Sequence, residues 1–264
     1  MHSIDAWAYD SGLSELDPRA KILFGTSAIL ITLAGNAVLA SMLTLVIMSV
    51  ITLKNSKMEF KSYLKWMAVP LGFVTLSALT WMVQTHSPQT PLVWRWDAFG
   101  RVFGISSQAL AEGIRLILRA LASVSGMYFI VLSTPMNDLL WTLRRWKVPA
   151  MVVSLMELMY RYIFVFWTEL GTIKTAQASR LGYMTVRTSI QSSGELIANL
   201  FLRTYIKCDR VYTALESRGY RGEFYQAEKS YHKSTSMLRG TVWMAILLFA
   251  AAAVERSLLG WAQF

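Results

Sequence analysis

Residues 22–53 read ILFGTSAILITLAGNAVLASMLTLVIMSVITL, 32 residues without a single charge. As one helix this run would be about 48 Å long, well beyond the roughly 30 Å of a bilayer's hydrocarbon core. Gly35 and Asn36 interrupt it, and both residue types favour a turn. The stretch therefore predicts two membrane spans joined by a tight turn. Arg19 and Lys21 precede the pair, and Lys54, Lys57, Lys61 and Lys65 follow it. Cations on both flanks place both ends in the cytoplasm, because positive residues are retained on that side.

The rest of the chain agrees with a lipid solvent. Of 264 residues, 54% are hydrophobic and 16% charged, against about 25% charged in soluble domains. This composition excludes a soluble dinucleotide-binding enzyme, a disordered protein and a secreted disulfide scaffold. Cys208 is the sole cysteine, so neither an intrachain disulfide nor a cysteine metal cluster can form. The net charge of +10 reads as orientation in the membrane rather than nucleic-acid binding. The segment 1–16 holds Asp5, Asp10 and Glu15 without an apolar centre, unlike a signal peptide.

A third span is predicted at 66–83, with Pro70 and Gly72 as kink positions. The linker 84–110 is rich in Pro, Trp and Ser and reads as the outer loop, with Trp81, Trp94 and Trp96 suited to the interface. A fourth span covers 111–132. It opens with Glu112, Arg115 and Arg119, which share one helical face with Ser123 and Gly126 at spacings of 3, 4, 4 and 3. Two readings fit these charges. Either the arginines reach the outer headgroups with Glu112 beside them, or the face contacts a partner membrane protein or a substrate path.

Residues 151–167 are apolar but contain Glu157 and Arg161, an i,i+4 pair better placed along a surface than in lipid. The segment 133–236 carries 14 Lys and Arg against 8 Asp and Glu, which favours the cytoplasm. Within it, 196–217 reads as one helix. Ile197, Phe201, Tyr205, Cys208, Tyr212 and Leu215 form an apolar stripe expected to pack against another helix, while Arg203, Lys207, Arg210 and Ala214 form an opposite, solvated face. A final run at 241–259 makes a fifth span, with Glu255, Arg256 and Trp261 at the outer interface. The expected fold is an all-α integral membrane protein of about five spans. Four lie in 1–132, a cytoplasmic helical domain occupies 133–236, and the last span lies in 237–264.

Local catalytic signals are missing. There is no phosphate-cradling G-x-x-x-x-G-K-[ST] loop and no G-x-S-x-G elbow. His2, His86 and His232 have no metal-ligand spacing, so no metal set and no catalytic set is assigned. A transport subunit, a scaffold for other membrane proteins and a lipid-modifying or other membrane enzyme are the classes left.

Three pieces of sequence separate these. They are the start, Ser3-Ile4-Asp5, Ser11-Gly12-Leu13 and Leu16-Asp17-Pro18-Arg19-Ala20-Lys21-Ile22-Leu23; then Ala176-Gln177-Ala178-Ser179-Arg180-Leu181-Gly182; and Ala214-Leu215-Glu216-Ser217-Arg218-Gly219-Tyr220. Together they resemble the transmembrane T component of energy-coupling factor transporters, whose two Ala-Arg-Gly type motifs lie on cytoplasmic coupling helices. Here Ser precedes each Arg, Leu181 follows Arg180, and the two arginines are 38 residues apart. The N-terminal wording, the Arg218-Gly219-Tyr220-Arg221-Gly222 stretch and the late last span are most similar to the cobalt branch, CbiQ.

The resemblance implies a non-catalytic subunit in the bacterial cytoplasmic membrane that couples partner ATPases to a separate substrate-binding membrane subunit and imports cobalt; nickel or a vitamin is the alternative cargo. Implied partners are two CbiO-like ATPases, a CbiM-like capture subunit and a small CbiN-like subunit, with ATP and Mg held by the ATPases and no cofactor in this chain. Arg180 and Arg218 would be the coupling residues, with Ala176, Ala178, Ser179, Ala214, Ser217 and Gly219 letting a partner approach closely. The bland reading of both arginines is a solvated helix-end cation beside a C-cap residue.

Overall fold

The computed structural model describes residues 4–35, 37–56, 58–82, 84–86, 94–98, 101–220, 231 and 235–261. In chain order its elements are α1 (Ile4–Tyr9), α2 (Pro18–Gly35), α3 (Val38–Asn55), α4 (Phe60–Met82), β1 (Gln84–His86), β2 (Trp94–Ala98), β3 (Arg101–Ile105), α5 (Ser107–Ser133), α6 (Met136–Arg145), α7 (Ala150–Ser179), α8 (Val186–Ser217) and α9 (Thr235–Trp261). They form two compact units, residues 1–139 with 230–264, and residues 140–229.

In the first unit the long apolar run breaks where its composition predicts: α2 closes at Gly35 and α3 opens at Val38. Asn36 lies outside the described residues. Hydroxyls inside these helices are satisfied locally, as apolar surroundings require. Thr32, Ser41, Thr44 and Thr52 each donate to the carbonyl four residues back, and Thr32 and Thr44 also meet at 2.9 Å across α2 and α3.

The central helix is α5, which packs on α1, α2, α3 and α4, while α9 covers α2 and α3. Close approach of α2 and α5 depends on two glycines. A methyl at Gly126 would come within 2.8 Å of Ile29, and one at Gly25 would collide with Ile130. Beside them Phe24 and Phe129 meet edge to face, 5.3 Å between centroids, in a core completed by Met48, Met244 and Leu248. A second cluster joins Tyr63, Met67 and Leu132, with Trp7, Trp66 and Tyr128 against it.

Lys21, read from sequence as a flanking cation, is completely buried. Its ammonium donates to the Leu13 carbonyl at 3.0 Å and the Ser133 carbonyl at 2.9 Å. It thereby ties the N-terminal segment and the end of α5 to the first turn of α2.

Five helical stretches are long and apolar enough to cross a bilayer: α3, α4, α5, α7 and 237–255 of α9. The expected number holds, but membership differs. α2 is not among them, since its 18 residues include Arg19 and Lys21. α7 is among them, because an 18-residue stretch of it has a mean hydropathy of 1.4 with no more than two charged residues. Apart from one short sheet, the chain is an all-α, multi-pass membrane protein.

The predicted outer loop also holds a small antiparallel sheet in the order β1-β3-β2, with Trp96 opposite Phe103 and Ala98 opposite Arg101. Its signal was the alternation Trp94-Arg95-Trp96-Asp97, which has the two-residue period of a strand.

Candidate functional site

Both arginine motifs lie in the second unit, on a hairpin of two helices about 45 and 48 Å long at 1.5 Å per residue. α7 ends at Ser179, and Arg180 is its C-cap residue; α8 ends at Ser217, and Arg218 is its C-cap residue. The two ends are copies of each other. The residue after each arginine is left-handed, Leu181 at φ +63° and Gly219 at φ +72°. The next amide reaches back to the helix, Gly182 to the Gln177 carbonyl at 2.9 Å and Tyr220 to the Leu215 carbonyl at 3.0 Å. This is the Schellman closure, which satisfies carbonyls that a helix end would leave free. Ser179 donates to the Thr175 carbonyl at 3.0 Å, and Ser217 to the Thr213 carbonyl at 2.7 Å. Sequence reading missed that the likeness begins one residue earlier: TAQASR at 175–180 and TALESR at 213–218 share Thr, Ala, Ser and Arg at matching positions.

Arg180 and Arg218 are exposed, as are Ala176, Ala178, Ser179, Ala214, Ser217 and Gly219. Each motif offers a five-donor guanidinium at a helix end, flanked by small side chains that present little bulk to an approaching surface.

A polar lock holds the turn between α7 and α8. Gln177 Nε2 donates to the Ser192 carbonyl at 2.9 Å, Tyr183 donates to Gln177 Oε1 at 2.7 Å, and Ser192 donates to the Gly182 carbonyl at 2.9 Å. Thr185 and Thr188 cap α8 reciprocally. Beside the lock is a groove of about 640 Å³ lined by Met184, Val186, Ile190, Gly194 and Ile197.

The faces of α8 are a correction. Its half-buried positions are Ser189, Leu196, Leu200, Thr204, Lys207, Val211 and Leu215, with Ser192 buried. Arg203, Arg210 and Ala214 are exposed as expected, but Lys207 is half-buried; Arg203 and Lys207 lie 3.3 and 3.8 Å from the Glu169 carboxylate on α7. The stripe expected to pack is open instead. Ile197 is 67% exposed, Phe201 72%, Tyr205 68% and Tyr212 65%, and Cys208 is exposed as well. The side of α8 that meets α7 also brings Lys207 to Glu169, and the apolar row one residue on is rotated about 100° away from it. Only Leu215 belongs to both rows.

In the first unit Glu112 is exposed and Arg115 half-buried. Arg119 donates from its guanidinium to the Leu33 carbonyl at the end of α2, a contact within the chain that neither sequence reading anticipated. Among the described residues no group of three or more His, Cys, Asp or Glu could hold a metal ion. His2 and His232 lie outside the described residues, as do Arg221 and Gly222.

Residues 10–231 match the family model of CbiQ, the cobalt transport protein. The chain belongs to the CbiQ family. This CbiQ-family chain is 33% identical over 161 residues to the cobalt transport protein CbiQ of Rhodobacter capsulatus, covering 60% of this chain and 61% of that protein. It is 29% identical over 259 residues to the putative fused cobalt transport protein CbiMQ of Methanocorpusculum labreanum, covering 98% of this chain and 43% of the fused protein. It therefore spans less than two thirds of either relative. It is also 24% identical over 270 residues to the energy-coupling factor transporter transmembrane protein EcfT of Bacillus subtilis, covering 94% of this chain and 98% of that protein. A CbiQ-family chain with these relatives is a transmembrane component of the energy-coupling factor type.

Proposed function

We propose that this CbiQ-family chain is the coupling subunit of an ATP-driven cobalt importer in the bacterial cytoplasmic membrane. The observation that carries the reading is the duplicated helix end: Arg180 and Arg218 stand at the same position of the same Schellman closure, both exposed among small residues. Two equivalent motifs suit two copies of one CbiO-like ATPase, which would hold ATP and Mg. The fused relative named CbiMQ supports a CbiM-like capture subunit as the membrane partner, alongside a CbiN-like protein. The open row on α8 supports burial against another subunit, since a run of exposed aromatic and aliphatic side chains marks an interaction surface.

The test is cobalt uptake and ATPase pull-down for Arg180→Glu and Arg218→Glu at matched expression. Truncating or reversing a buried interfacial charge costs about 2 to 5 kcal/mol, so each variant should lose assembly and uptake together. Arg210→Glu, exposed on α8 outside both motifs, should behave as the parent. Parental assembly and uptake with both motif arginines reversed would overturn the coupling role.

A further inference from the structure

α9 covers α2 and α3, but the three helices do not meet evenly along their length. At one end the fit is tight. Ala37, Ala40 and Ala252 are buried there, a methyl added at Gly35 would already stand 3.7 Å from that of Ala252, and Glu255 holds the first turn of α3. Small residues let the backbones approach. α9 runs antiparallel to α3, since Glu255 meets Val38 while Gly240 and Met244 share a groove with Ile47 and Ile51. Toward that second end the helices part. The groove there has a volume of about 500 Å³, with Phe24 and Met244 as its buried floor and Ile47, Ile51, Trp243 and Leu247 along its sides. A β-carbon at Gly240 would meet nothing within 4 Å, so the mouth is open.

From Gly240 to Ala250 the groove follows α9 for about 15 Å at 1.5 Å per residue, half of a hydrocarbon core of about 30 Å. That is the depth of one lipid leaflet. A partner's spanning helix would need an open seam through both leaflets, and Ala252 and Glu255 close this one. The open end carries charge. Arg239 heads the row Arg239, Trp243, Ile246 and Ala250 on α9, and Lys54 extends the row of Ile47 and Ile51 on α3. Both cations are exposed, and among the described residues neither side chain has a hydrogen bond or an ion pair. Trp243, one turn in from Arg239 and 71% exposed, suits the interfacial level at which indole rings collect.

We propose that this groove binds one anionic phospholipid of the leaflet at that end of the bundle, its phosphate held by Lys54 and Arg239 and an acyl chain lying on Phe24 and Met244. A zwitterionic lipid brings its own cation to the headgroup, which competes for the phosphate. A headgroup of net negative charge does not, so the two free cations select for it. The site stands apart from the coupling function, since it needs only the membrane bundle.

The test titrates the full chain in detergent micelles with phosphatidylglycerol or phosphatidylcholine of matched acyl chains and counts bound lipid by native mass spectrometry. One phosphatidylglycerol should bind ahead of all others and about thirtyfold more tightly than phosphatidylcholine, at about fivefold for each cation near a headgroup. Lys54→Gln and Arg239→Gln should each weaken phosphatidylglycerol about fivefold and leave phosphatidylcholine unchanged. The double variant should not distinguish the two lipids. Gly240→Leu adds bulk at the mouth where the chain itself offers no clash, and should abolish the tight site. Glycerol 1-phosphate, the soluble headgroup, should not compete, because the acyl chain provides much of the hold. Equal affinity for the two lipids, an undiminished preference in the double variant, or a tight site that survives Gly240→Leu would each overturn the proposal, as would displacement by glycerol 1-phosphate. With p-benzoylphenylalanine in place of Ile246 in intact cells, the expected photoproduct is a lipid adduct. An adduct to another membrane protein would make the groove a subunit interface and the lipid site wrong.

Discussion

The carboxylate of Glu255 in α9 accepts the backbone amides of both Val38, at 3.0 Å, and Leu39, at 2.8 Å, in the first turn of α3. The N-cap residue of α3 is Ala37, which has no side chain able to cap, so an acid 217 residues away in sequence performs that task. The negative charge also meets the positive end of the α3 dipole. Removing it as Glu255→Ala should destabilise the membrane unit by about 1 to 3 kcal/mol, while Glu255→Gln should lose less. Thermal unfolding in detergent measures this, and an unchanged midpoint for Glu255→Ala would show that the cap contributes nothing.

The same contact makes a statement about topology. It places the end of α9 beside the turn between α2 and α3, where Arg119, midway along α5, also reaches the Leu33 carbonyl near the end of α2. In a Cys208→Ser background, single cysteines at positions 37 and 257 should therefore react with an impermeant thiol reagent from the same side of the membrane. That side should be the outside, with a cysteine at 184 reacting only from the inside. Labelling of 184 from outside would mean that α7 crosses and that the cytoplasmic assignment of 133–236 is wrong.

Leu181 occupies a left-handed conformation that costs an L-residue about 1 to 2 kcal/mol, and its side chain is 64% exposed. Leu181→Gly should relieve this with little lost packing. The expected gain is about 0.5 to 1 kcal/mol, reduced by the entropy of the more flexible unfolded chain. Gly219→Leu should move stability in the opposite direction. Hydrogen exchange of the amides closing each helix end, in the whole chain in detergent, reads both changes. Slower exchange at Gly182 in Leu181→Gly is the expected sign, and faster exchange would refute the strain argument.

Purified without partners, the chain should neither hydrolyse ATP nor bind cobalt tightly, because it has no phosphate-cradling loop and no group of metal ligands among its described residues. Isothermal titration with cobalt and an ATPase assay check this. A stoichiometric high-affinity cobalt site would overturn the proposed division of labour and direct attention to His2 and His86.

Much of this molecule was determined by its sequence alone. The solvent was lipid as soon as residues 22–53 were read, because a run of that apolarity cannot be covered by the polar surface of so lightly charged a chain. The hairpin at Gly35, the later apolar spans and the two arginine motifs were equally legible, since they depend on local composition and short spacing. Tertiary structure decided which cations are solvated and which are struts. A flanking Lys21 and a buried Lys21 have the same neighbours in sequence, and the carbonyls of Leu13 and Ser133 that hold it are brought there only by packing. It also decided the inward face of α8. Two rows one residue apart compete on that helix, and the row with Lys207 faces α7 rather than the more apolar one. The cap from Glu255 and the hydrogen bond from Tyr231 to Asp138 span 217 and 93 residues. No periodicity encodes such bonds, because they exist only once distant helices are packed side by side.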